Sequence, residues 1–458
     1  MIRNVRTTAS FSINDSQEIK QQMLTWATPF NICCFLDNQD YPRQPASPTG
    51  FECLLAVGAA ATFTAAAGEA FSAFKTWTGT HQDWLFGHLG YELAAETEPA
   101  PQDKAALTVP RVAALAVPPI PAPSVPRAHP DPIGFPDLFF FVPQTVIEVH
   151  PDHVRIGALD ANPETIWQEI RATIPRPPVP LSPVTFKPRF TRDEYLTTIG
   201  ALQRHILRGD CYEINFCQEF YAESIHLDPY AVWQALSKAS PNPFSAFYRL
   251  GDRYLCCASP ERFLKKTGAT LLSQPIKGTA PRARDADTDQ LRRTALQQSP
   301  KDRAENVMVV DLVRNDLAKV CVPGSVHVPE LYGVYPFPHV HQMISSVTGE
   351  LAPGTHWSDA LRACFPMGSM TGAPKNRVVR LISQYERSHR GIFSGAVGYI
   401  TPDGDFDFNV VIRSLLYQRQ NAYLSYQVGS GITWYSDPVA EYEECLLKAA
   451  GILKALGG

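Results

Sequence analysis

The distribution of proline constrains the fold of this chain more than any other feature of its sequence. Forty of the 458 residues are proline, above the usual share of about 5%, and many of them fall in two stretches, 99–136 and 175–188. Proline has no backbone N–H and interrupts helices and central strands, so these stretches are expected to be extended linkers. The sequence therefore predicts an N-terminal region over residues 1–185 and a second region over residues 186–458.

Hydrophobic periodicity predicts a mixed α/β fold. In the N-terminal region, the apolar run 137–142 is typical of a strand, 53–68 is predicted to be a buried strand, and 162–174 is predicted to be a helix. In the second region, apolar spacing predicts a helix over 193–208 and alternation predicts a strand over 211–222. Further strands are expected at 246–258, 263–273 and 422–428.

Charge and cysteine usage exclude several classes of protein. The formal net charge is −4 and no Lys/Arg-rich run is present, so nucleic acid is not an expected partner and a small or anionic metabolite is favoured. The ten cysteines form no Cys-x-x-Cys motif, which favours a reducing compartment over a disulfide scaffold. The first 15 residues lack an apolar leader and 53–68 is too short to span a bilayer, so we expect a cytoplasmic protein without a membrane partner.

A lysine in an apolar, glycine-containing turn is the first candidate for chemistry. Lys277 lies in Pro275-Ile276-Lys277-Gly278-Thr279. A desolvated lysine loses its proton more easily than an exposed one, and only the neutral amine is a nucleophile. The alternative is a surface lysine at the end of a strand.

Two pairs of carboxylates lie near predicted helix starts. Ser299-Pro300 and Asp437-Pro438 are typical of helix N-termini. The first helix carries Asp302 and Glu305, and the second carries Glu441 and Glu444, each pair at i and i+3. Four such carboxylates could converge on a hard cation, and Mg²⁺ suits them best. The alternative is that Asp302 only caps its helix and that Glu444 only pairs with Lys448.

Two glycine-containing segments and one arginine are candidates for binding an anion. The segment 368–375, which contains Thr371 and Gly372, runs into a predicted helix whose N-terminus would attract a carboxylate. The second segment, Gly429-Ser430-Gly431-Ile432, is predicted to be a turn after a strand. Arg413 lies in an apolar strand and is expected to pair with a carboxylate of the protein or of a ligand.

Taken together, these motifs resemble the chorismate-utilising enzymes, a family that includes aminodeoxychorismate, anthranilate, isochorismate and salicylate synthases. The resemblance is strong over about 185–458. It rests on these segments: 259–263, the lysine turn, 304–316, 341–349, 368–375, 391–399 and 429–444. It implies an anthranilate-synthase-type α/β (α+β) sandwich of largely antiparallel sheets with helices packed between them, and a chorismate-binding catalytic domain over residues 186–458.

The resemblance also implies a role for each candidate residue. Glu305 and Glu441 are expected to hold Mg²⁺, with Asp302 and Glu444 close by, and the metal to grip the ring carboxylate of chorismate. The expected substrate contacts are Thr371, Gly372, Arg413, Gly429, Ser430 and Gly431. His341 corresponds to the active-site histidine of the family, although a histidine bonded within the core is an equal alternative from the sequence.

Lysine at position 277 resembles the aminodeoxychorismate synthase branch, since anthranilate and isochorismate synthases typically carry alanine there. In that branch the lysine is thought to attack C2 of chorismate, expelling the C4 hydroxyl before ammonia adds at C4, on the route to p-aminobenzoate and folate. Glu261 is the expected general acid, with a structural ion pair to Arg262 or another cation as the alternative. A covalent adduct at C2 argues against the second hypothesis, an anthranilate synthase component I.

Two residues depart from the family pattern. Position 213 is glutamate, where ammonia-using relatives usually have glutamine and water-using ones lysine, so Glu213 is expected to bind ammonium and take its proton, or to be an ordinary strand residue. Phe393 replaces a frequent tyrosine. No Gly-x-Cys-x-Gly glutaminase motif is present, so ammonia is expected from a separate glutamine amidotransferase subunit in a heterodimer. A third hypothesis is a regulatory subunit that binds chorismate or an amino acid without catalysis.

Overall fold

The computed structural model describes residues 6–41, 51–98, 129–177 and 179–457. Within these ranges the chain forms two large β-sheets and eleven α-helices, and every strand pairing is antiparallel. The expected mixed fold with largely antiparallel sheets is confirmed. The first Pro-rich stretch lies mostly outside the described residues.

The strands alternate with helices along most of the chain. They are β1 (Thr7–Ser12), β2 (Ile32–Asp37), β3 (Cys53–Val57), β4 (Ala61–Ala65), β5 (Leu85–Leu89), β6 (Leu138–Val142), β7 (Thr145–Val149), β8 (His153–Ala158), β9 (Lys187–Pro188), β10 (Glu213–Ala222), β11 (Phe244–Leu250), β12 (Arg253–Ser259), β13 (Arg262–Thr267), β14 (Thr270–Gln274), β15 (Ile276–Pro281), β16 (His327–Pro336), β17 (Val340–Glu350), β18 (Gly372–Ala373), β19 (Ala396–Ile400), β20 (Phe406–Asn409), β21 (Ser414–Gln418) and β22 (Tyr423–Ile432). The helices are α1 (Ser16–Trp26), α2 (Ala70–Thr78), α3 (Ala94–Thr97), α4 (Pro163–Ala172), α5 (Arg192–Leu207), α6 (Pro229–Ala239), α7 (Ala286–Gln298), α8 (Pro300–Ala318), α9 (Trp357–Cys364), α10 (Lys375–Tyr385) and α11 (Pro438–Ala455).

The order of strands in each sheet does not follow the order of the chain. The first sheet runs β1-β8-β7-β3-β2-β11-β12-β21-β22-β10-β18, with β9 beside β10. The second sheet runs β15-β17-β14-β13-β20-β19-β5-β6-β4, with β16 beside β17. Strands from the first 185 residues therefore complete both sheets: β2 pairs with β11 in the first and β5 with β19 in the second. The division into two domains stays a prediction.

Two apolar cores hold these layers together. One lies between the first sheet and helices α1, α4, α5, α6, α10 and α11. The other joins the second sheet to the first sheet and to helices α2, α8 and α9. Part of this second core has no helix between the sheets, because His88 of β5 reaches across to Tyr248 of β11, with 3.1 Å between Nδ1 and the hydroxyl oxygen. Within the described ranges, the structure contains no helix that is long and apolar enough to cross a membrane.

The predicted helices agree with the structure where an N-cap residue or the spacing of apolar residues marked them. Helix α4 begins after its N-cap Asn162 and α5 after Thr191, whose side chain forms a capping box with Glu194. The predicted strands 246–258 and 263–273 are each two strands joined by a turn at a glycine of positive φ, Gly251 and Gly268. The predicted strand 53–68 is likewise interrupted at Gly58, with φ +66°, so β3 and β4 enter different sheets.

The prediction of a turn over 429–432 is wrong. These residues are the last part of strand β22, and they pair with Cys217, Phe216, Asn215 and Ile214 of β10. At positions 429 and 431, neighbouring atoms leave no room for a side chain, which explains the two glycines. A Cβ atom on Gly429 would lie 2.3 Å from Cys217 Sγ.

Candidate active site

A lysine and a glutamate from different sheets meet in an ion pair. Lys277 is the second residue of β15, which ends the second sheet, and Glu213 begins β10, next to the end of the first sheet. Lys277 Nζ donates a hydrogen bond to Glu213 Oε1. The two side chains are only 12% and 3% exposed. The predicted reactive lysine therefore lies at a partly buried junction of the two sheets and not on an open surface.

The backbone around Lys277 is shaped to present its side chain. The pairing of β15 with β17 shifts register between Ile276 and Thr279, and Gly278 in this bulge has φ +99°, a conformation that favours glycine. Asn306, the neighbour of Glu305 on α8, donates a hydrogen bond from Nδ2 to the carbonyl of Lys277, at 3.4 Å. Asn306 has no predicted role of its own, and in the sequence only its place beside Glu305 points to one.

Gly431 provides the space that the ion pair occupies. A Cβ atom on this residue would lie 2.6 Å from Lys277 Nζ and 2.6 Å from Glu213 Oε1. Any larger residue would have to displace one of the two charged groups. This close approach explains why a glycine stands within the strand.

The charge state of Lys277 differs from the expectation. Burial by itself lowers the pKa of a lysine, but here the carboxylates of Glu213 and Glu305 outweigh burial and hold the pKa of Lys277 above its usual value. The lysine is therefore an ammonium ion at neutral pH and must lose a proton before it can act as a nucleophile. Glu213 already accepts a hydrogen bond from it, so this carboxylate is the nearest group to take that proton.

Glu261 is a buried carboxyl with an unusually high proton affinity. It is 4% exposed, and burial raises its pKa to about 7, opposed by the hydroxyl of Ser369, the backbone of Ile276 and the charge of Lys277. Glu261 lines a cavity together with Ser273, Pro275, Asp316, Met367 and Ser369. Arg262 binds both oxygens of Asp407, at 2.9 and 3.0 Å, and the positive charges that act on Glu261 are those of Lys277 and Arg413. The alternative of an ion pair with Arg262 or another cation stays a prediction. A carboxyl of this kind is able to hold and deliver a proton near neutral pH.

Arg413 has no ion pair with a carboxylate among the residues that the structure describes. The prediction that Arg413 lies in a strand is wrong, because β21 begins at Ser414 and Arg413 has a φ of +51°, in the left-handed region. Its carbonyl accepts a hydrogen bond from the N–H of Ala258, at 3.2 Å. Burial lowers the pKa of the guanidinium, and the charge of Glu261 opposes that effect. A partly buried arginine without a bonded carboxylate is suited to bind an anionic ligand.

Two of the predicted metal ligands face a common cation. Glu305 on α8 and Glu441 on α11 each have a carboxylate oxygen 3.9 Å from Lys301 Nζ. Burial raises the pKa of Glu305 to about 7, opposed by Lys277 and reinforced by Glu213. Two carboxylates that converge on one positive charge are the donors that a hard cation requires.

The other two predicted ligands contact other groups. Glu444 binds Lys448, with 2.7 Å between Oε1 and Nζ, as the alternative interpretation expected. Asp302 lies beside Gly278, where a Cβ atom would be 3.0 Å from Asp302 Oδ1. Within the described ranges, no three His, Cys, Asp or Glu side chains form a group that could hold a metal ion. Mg²⁺ uses few carboxylates and keeps several waters, so Glu305 and Glu441 fit it as a pair.

The segment 368–375, which is predicted to bind an anion, adjoins Glu213 through the sheet. Gly372 of β18 pairs with Ile214, has φ +138°, and a Cβ atom there would lie 2.1 Å from the carbonyl oxygen of Glu213. Thr371 is fully buried and its hydroxyl donates to the carbonyl of Met367, at 2.9 Å. The segment is therefore packed tightly against the start of β10.

The remaining substrate candidates lie on β22. Ser430 is fully buried, and its side chain lies beside those of Tyr195 and Cys445. The carbonyl of Gly429 accepts a hydrogen bond from Lys448 Nζ, at 2.8 Å. This contact ties β22 to α11, the helix that carries Glu441.

His341 and Phe393 make their contacts with residues other than Lys277 and Glu261. His341 Nε2 is 3.0 Å from Asp289 Oδ1, whereas its buried Nδ1 has no partner among the described residues. No recorded contact joins the ring to Lys277 or Glu261. Phe393 is 2% exposed and belongs to the apolar core between the sheets.

Comparison with known proteins agrees with this architecture. A family model described as chorismate binding enzyme matches residues 33–454. Aminodeoxychorismate synthase component 1 from Klebsiella aerogenes is 41% identical over 271 residues, which are 59% of each chain. The protein of that name from Escherichia coli strain K12 is 39% identical over 297 residues, 65% of each chain. The crystal structure of anthranilate synthase component I from Streptococcus pneumoniae TIGR4 has a TM-score of 0.71 at 25% identity and covers 91% of this chain and 95% of its own.

Proposed function

The chain belongs to the family of chorismate-binding enzymes, and we propose that it aminates chorismate at C4 to give 4-amino-4-deoxychorismate. The observation that carries this proposal is the lysine at position 277, held in the centre of the charged cluster by Glu213. Relatives of 39 to 41% identity that are named aminodeoxychorismate synthase component 1 support it. The matches span 59 to 65% of the length of those relatives.

The first step of the proposed reaction requires proton transfer from Lys277. The ammonium group of Lys277 passes one proton to Glu213, and the neutral amine of Lys277 then attacks C2 of chorismate. The ring double bonds shift toward C4, and the C4 hydroxyl leaves as water. Ammonia then adds at C4, the double bonds shift back, and the bond between C2 and Lys277 breaks. Two successive displacements of this kind account for amination at C4 without loss of the enolpyruvyl group.

Glu261 is proposed to donate the proton that the leaving hydroxyl needs. Hydroxide is a poor leaving group, and a carboxyl whose pKa lies at about 7 is partly protonated under physiological conditions. Its neighbours are Lys277 and Arg413, which oppose the effect of burial on its pKa. The acid and the nucleophile therefore belong to one cluster, as a concerted departure of the hydroxyl requires.

Mg²⁺ is the proposed cofactor, held by Glu305 and Glu441, with Asp302 and Glu444 nearby. When bound, the ion would neutralise the ring carboxylate of chorismate. Arg413 is the proposed partner of the second carboxylate, and Thr371, Gly372, Gly429, Ser430 and Gly431 are proposed to surround the substrate. The absence of an ion pair between Arg413 and any described carboxylate supports this assignment.

Ammonia is proposed to come from a separate glutamine amidotransferase subunit, and we expect both proteins in the cytoplasm. The printed name of the relatives, component 1, supports a second component.

Identification of the product tests the proposal. The purified chain is incubated with chorismate, Mg²⁺ and ammonium at pH 8, and the products are identified by mass spectrometry beside an assay for pyruvate. We expect an aminated product that retains the enolpyruvyl group, and no pyruvate. Anthranilate with equal amounts of pyruvate would assign the chain to the anthranilate synthases instead. No turnover, even with an amidotransferase partner, would favour a regulatory subunit.

A further inference from the structure

We propose that Lys301 is a tethered cation that competes with a divalent metal ion for Glu305 and Glu441, and that it thereby sets the affinity of this site for the metal. The inference rests on the proposed function, because it concerns the metal site that the proposed reaction uses. It adds a role for a residue that the sequence analysis did not single out.

The position of Lys301 between the two helices carries the argument. Its Nζ lies 3.9 Å from an oxygen of Glu305, on its own helix α8, and 3.9 Å from an oxygen of Glu441, on helix α11. The two carboxylates are 17% and 4% exposed, whereas the lysine is 64% exposed. Buried carboxylates require a compensating charge. The largely solvated ammonium ion of Lys301 contributes to it at both carboxylates, and Lys277 contributes at Glu305.

The contacts are loose enough to be exchanged for a metal. Charge-assisted hydrogen bonds between nitrogen and oxygen are about 2.7 to 2.9 Å long, so the ammonium ion balances the charge of the carboxylates without a hydrogen bond to either. Mg²⁺ binds oxygen at about 2.0 to 2.1 Å and would draw the two carboxylates closer together. Because the lysine side chain is exposed, it can withdraw into solvent when the metal enters.

The stability of helix α8 does not explain why a lysine stands here. Lys301 lies in the first turn, where the positive end of the helix dipole disfavours a cation. It also precedes Glu305 at i and i+4, which is the less favourable order for such a pair. Lys448 of α11 provides the contrast, because it follows Glu444 at i+4 and binds it at 2.7 Å. The helix dipole and the order of the pair both disfavour a lysine at position 301. The two neighbouring carboxylates favour it.

Metal titration of matched variants tests the proposal. The full-length protein, the Lys301→Met variant and the Lys187→Met variant are titrated with MgCl₂ by calorimetry, without chorismate. Lys187 is an ordinary surface partner of Glu223, 66% exposed at 3.3 Å, on the strand that pairs with the far end of β10. We expect Lys301→Met to bind Mg²⁺ about tenfold more tightly, since removal of one unit charge about 4 Å away has an effect of that order. Lys187→Met should bind like the unmodified protein.

Charge and size are separated by further variants and by a second measurement. Lys301→Arg keeps the positive charge and should keep the original affinity, and Lys301→Gln should reproduce the tighter binding if the Met variant does not fold. The rise in Tm on adding MgCl₂ should be larger for Lys301→Met than for the unmodified protein.

Two results would overturn competition by Lys301 while leaving the metal site in place: equal affinity in the unmodified protein and in Lys301→Met, or weaker binding by the variant. A complete lack of Mg²⁺ binding in both proteins would overturn this inference together with the metal part of the proposed function.

Discussion

At the scale of single residues, the centre of the site depends on one hydrogen atom at position 431. A methyl group at Gly431 would meet the ends of two flexible side chains and not a rigid backbone, so we expect Gly431→Ala to fold but to displace Lys277 from Glu213. Misplacement by about 1 Å costs roughly 100-fold in rate. We therefore expect kcat to fall about 100-fold while Tm changes little.

Gly200→Ala is the matched control for this variant. Gly200 lies in helix α5, and a Cβ atom there would have no neighbour within 4 Å. This substitution should leave kcat unchanged and should raise stability by up to about 1 kcal/mol, the difference in helix propensity. Normal kcat in Gly431→Ala would show that the ion pair has no part in turnover.

The high pKa of Glu261 predicts how the reaction depends on pH. A general acid acts in its protonated form, so a pKa of about 7 predicts that kcat falls as pH rises above about 7. Glu261→Gln cannot donate this proton and should be at least about 100-fold slower, without the same decline. The check is kcat measured from pH 6 to 9 for both proteins. The same decline in the Gln variant would assign the proton donor to another group.

At the scale of secondary-structure elements, two capped helix starts position the predicted metal ligands. Ser299 Oγ accepts a hydrogen bond from the N–H of Asp302, at 3.3 Å, and Asp437 Oδ1 accepts one from the N–H of Ala440, at 2.8 Å. Glu305 and Glu441 lie within two turns of these caps. We expect Ser299→Ala to cost about 1 kcal/mol of stability and to weaken Mg²⁺ binding, because the turn that carries Lys301 and Glu305 would fray.

Loss of a cap elsewhere separates these two effects. Asn162 caps α4 by accepting from the N–H of Glu164, at 2.9 Å, and α4 packs on β1, β8 and α1. Asn162→Ala should lower the free energy of unfolding by a similar amount without changing the affinity for Mg²⁺. Equal losses of metal affinity in both variants, measured by calorimetry, would show that only global stability matters.

These helix starts were predictable from the sequence because a cap is a local signal. At each start, a side-chain oxygen of Ser299 or Asp437 accepts a hydrogen bond from the backbone N–H three residues later. The proline between them fixes its own φ, so the whole cap lies within four residues. The glycines of β22 were misread for the opposite reason. What excludes a side chain at Gly431 is Lys277 and Glu213, which are far away in the chain, and no local pattern separates such a glycine from one in a turn.

At the scale of the whole molecule, the two sheets need strands from both halves of the chain. Residues 186–458 alone would leave β11 without β2 and β19 without β5, which exposes strand edges and the apolar core between the sheets. We expect this fragment, expressed alone, to unfold without a cooperative transition and to bind an apolar dye, whereas the full chain unfolds cooperatively.

Co-expression of 1–185 with 186–458 is the control, because it supplies the missing strands without a covalent link. We expect the two fragments to associate and to recover the cooperative transition, measured by circular dichroism. A sharp transition in 186–458 alone would instead establish an independent domain.

The general architecture was therefore accessible from the sequence, whereas the contact that defines the site was not. Motifs identified Lys277 and Glu213 separately. Their meeting depends on two sheets that place residues 64 positions apart side by side. The raised pKa of Lys277 results from that contact. Burial alone, which is all that the sequence indicated, predicted a lowered pKa.

The trio of Glu213, Lys277 and Gly431 also has a consequence for recombination between related genes. A single crossover anywhere between codons 213 and 431 would take the glutamate from one parent and the glycine from the other. The encoded protein would then combine residues of two parents at this centre, and the trio would stay intact only if the parents agree at the position that is exchanged. The segment from codon 213 to codon 431, nearly half of the gene, is therefore expected to be inherited without internal crossovers between parents that differ at these positions.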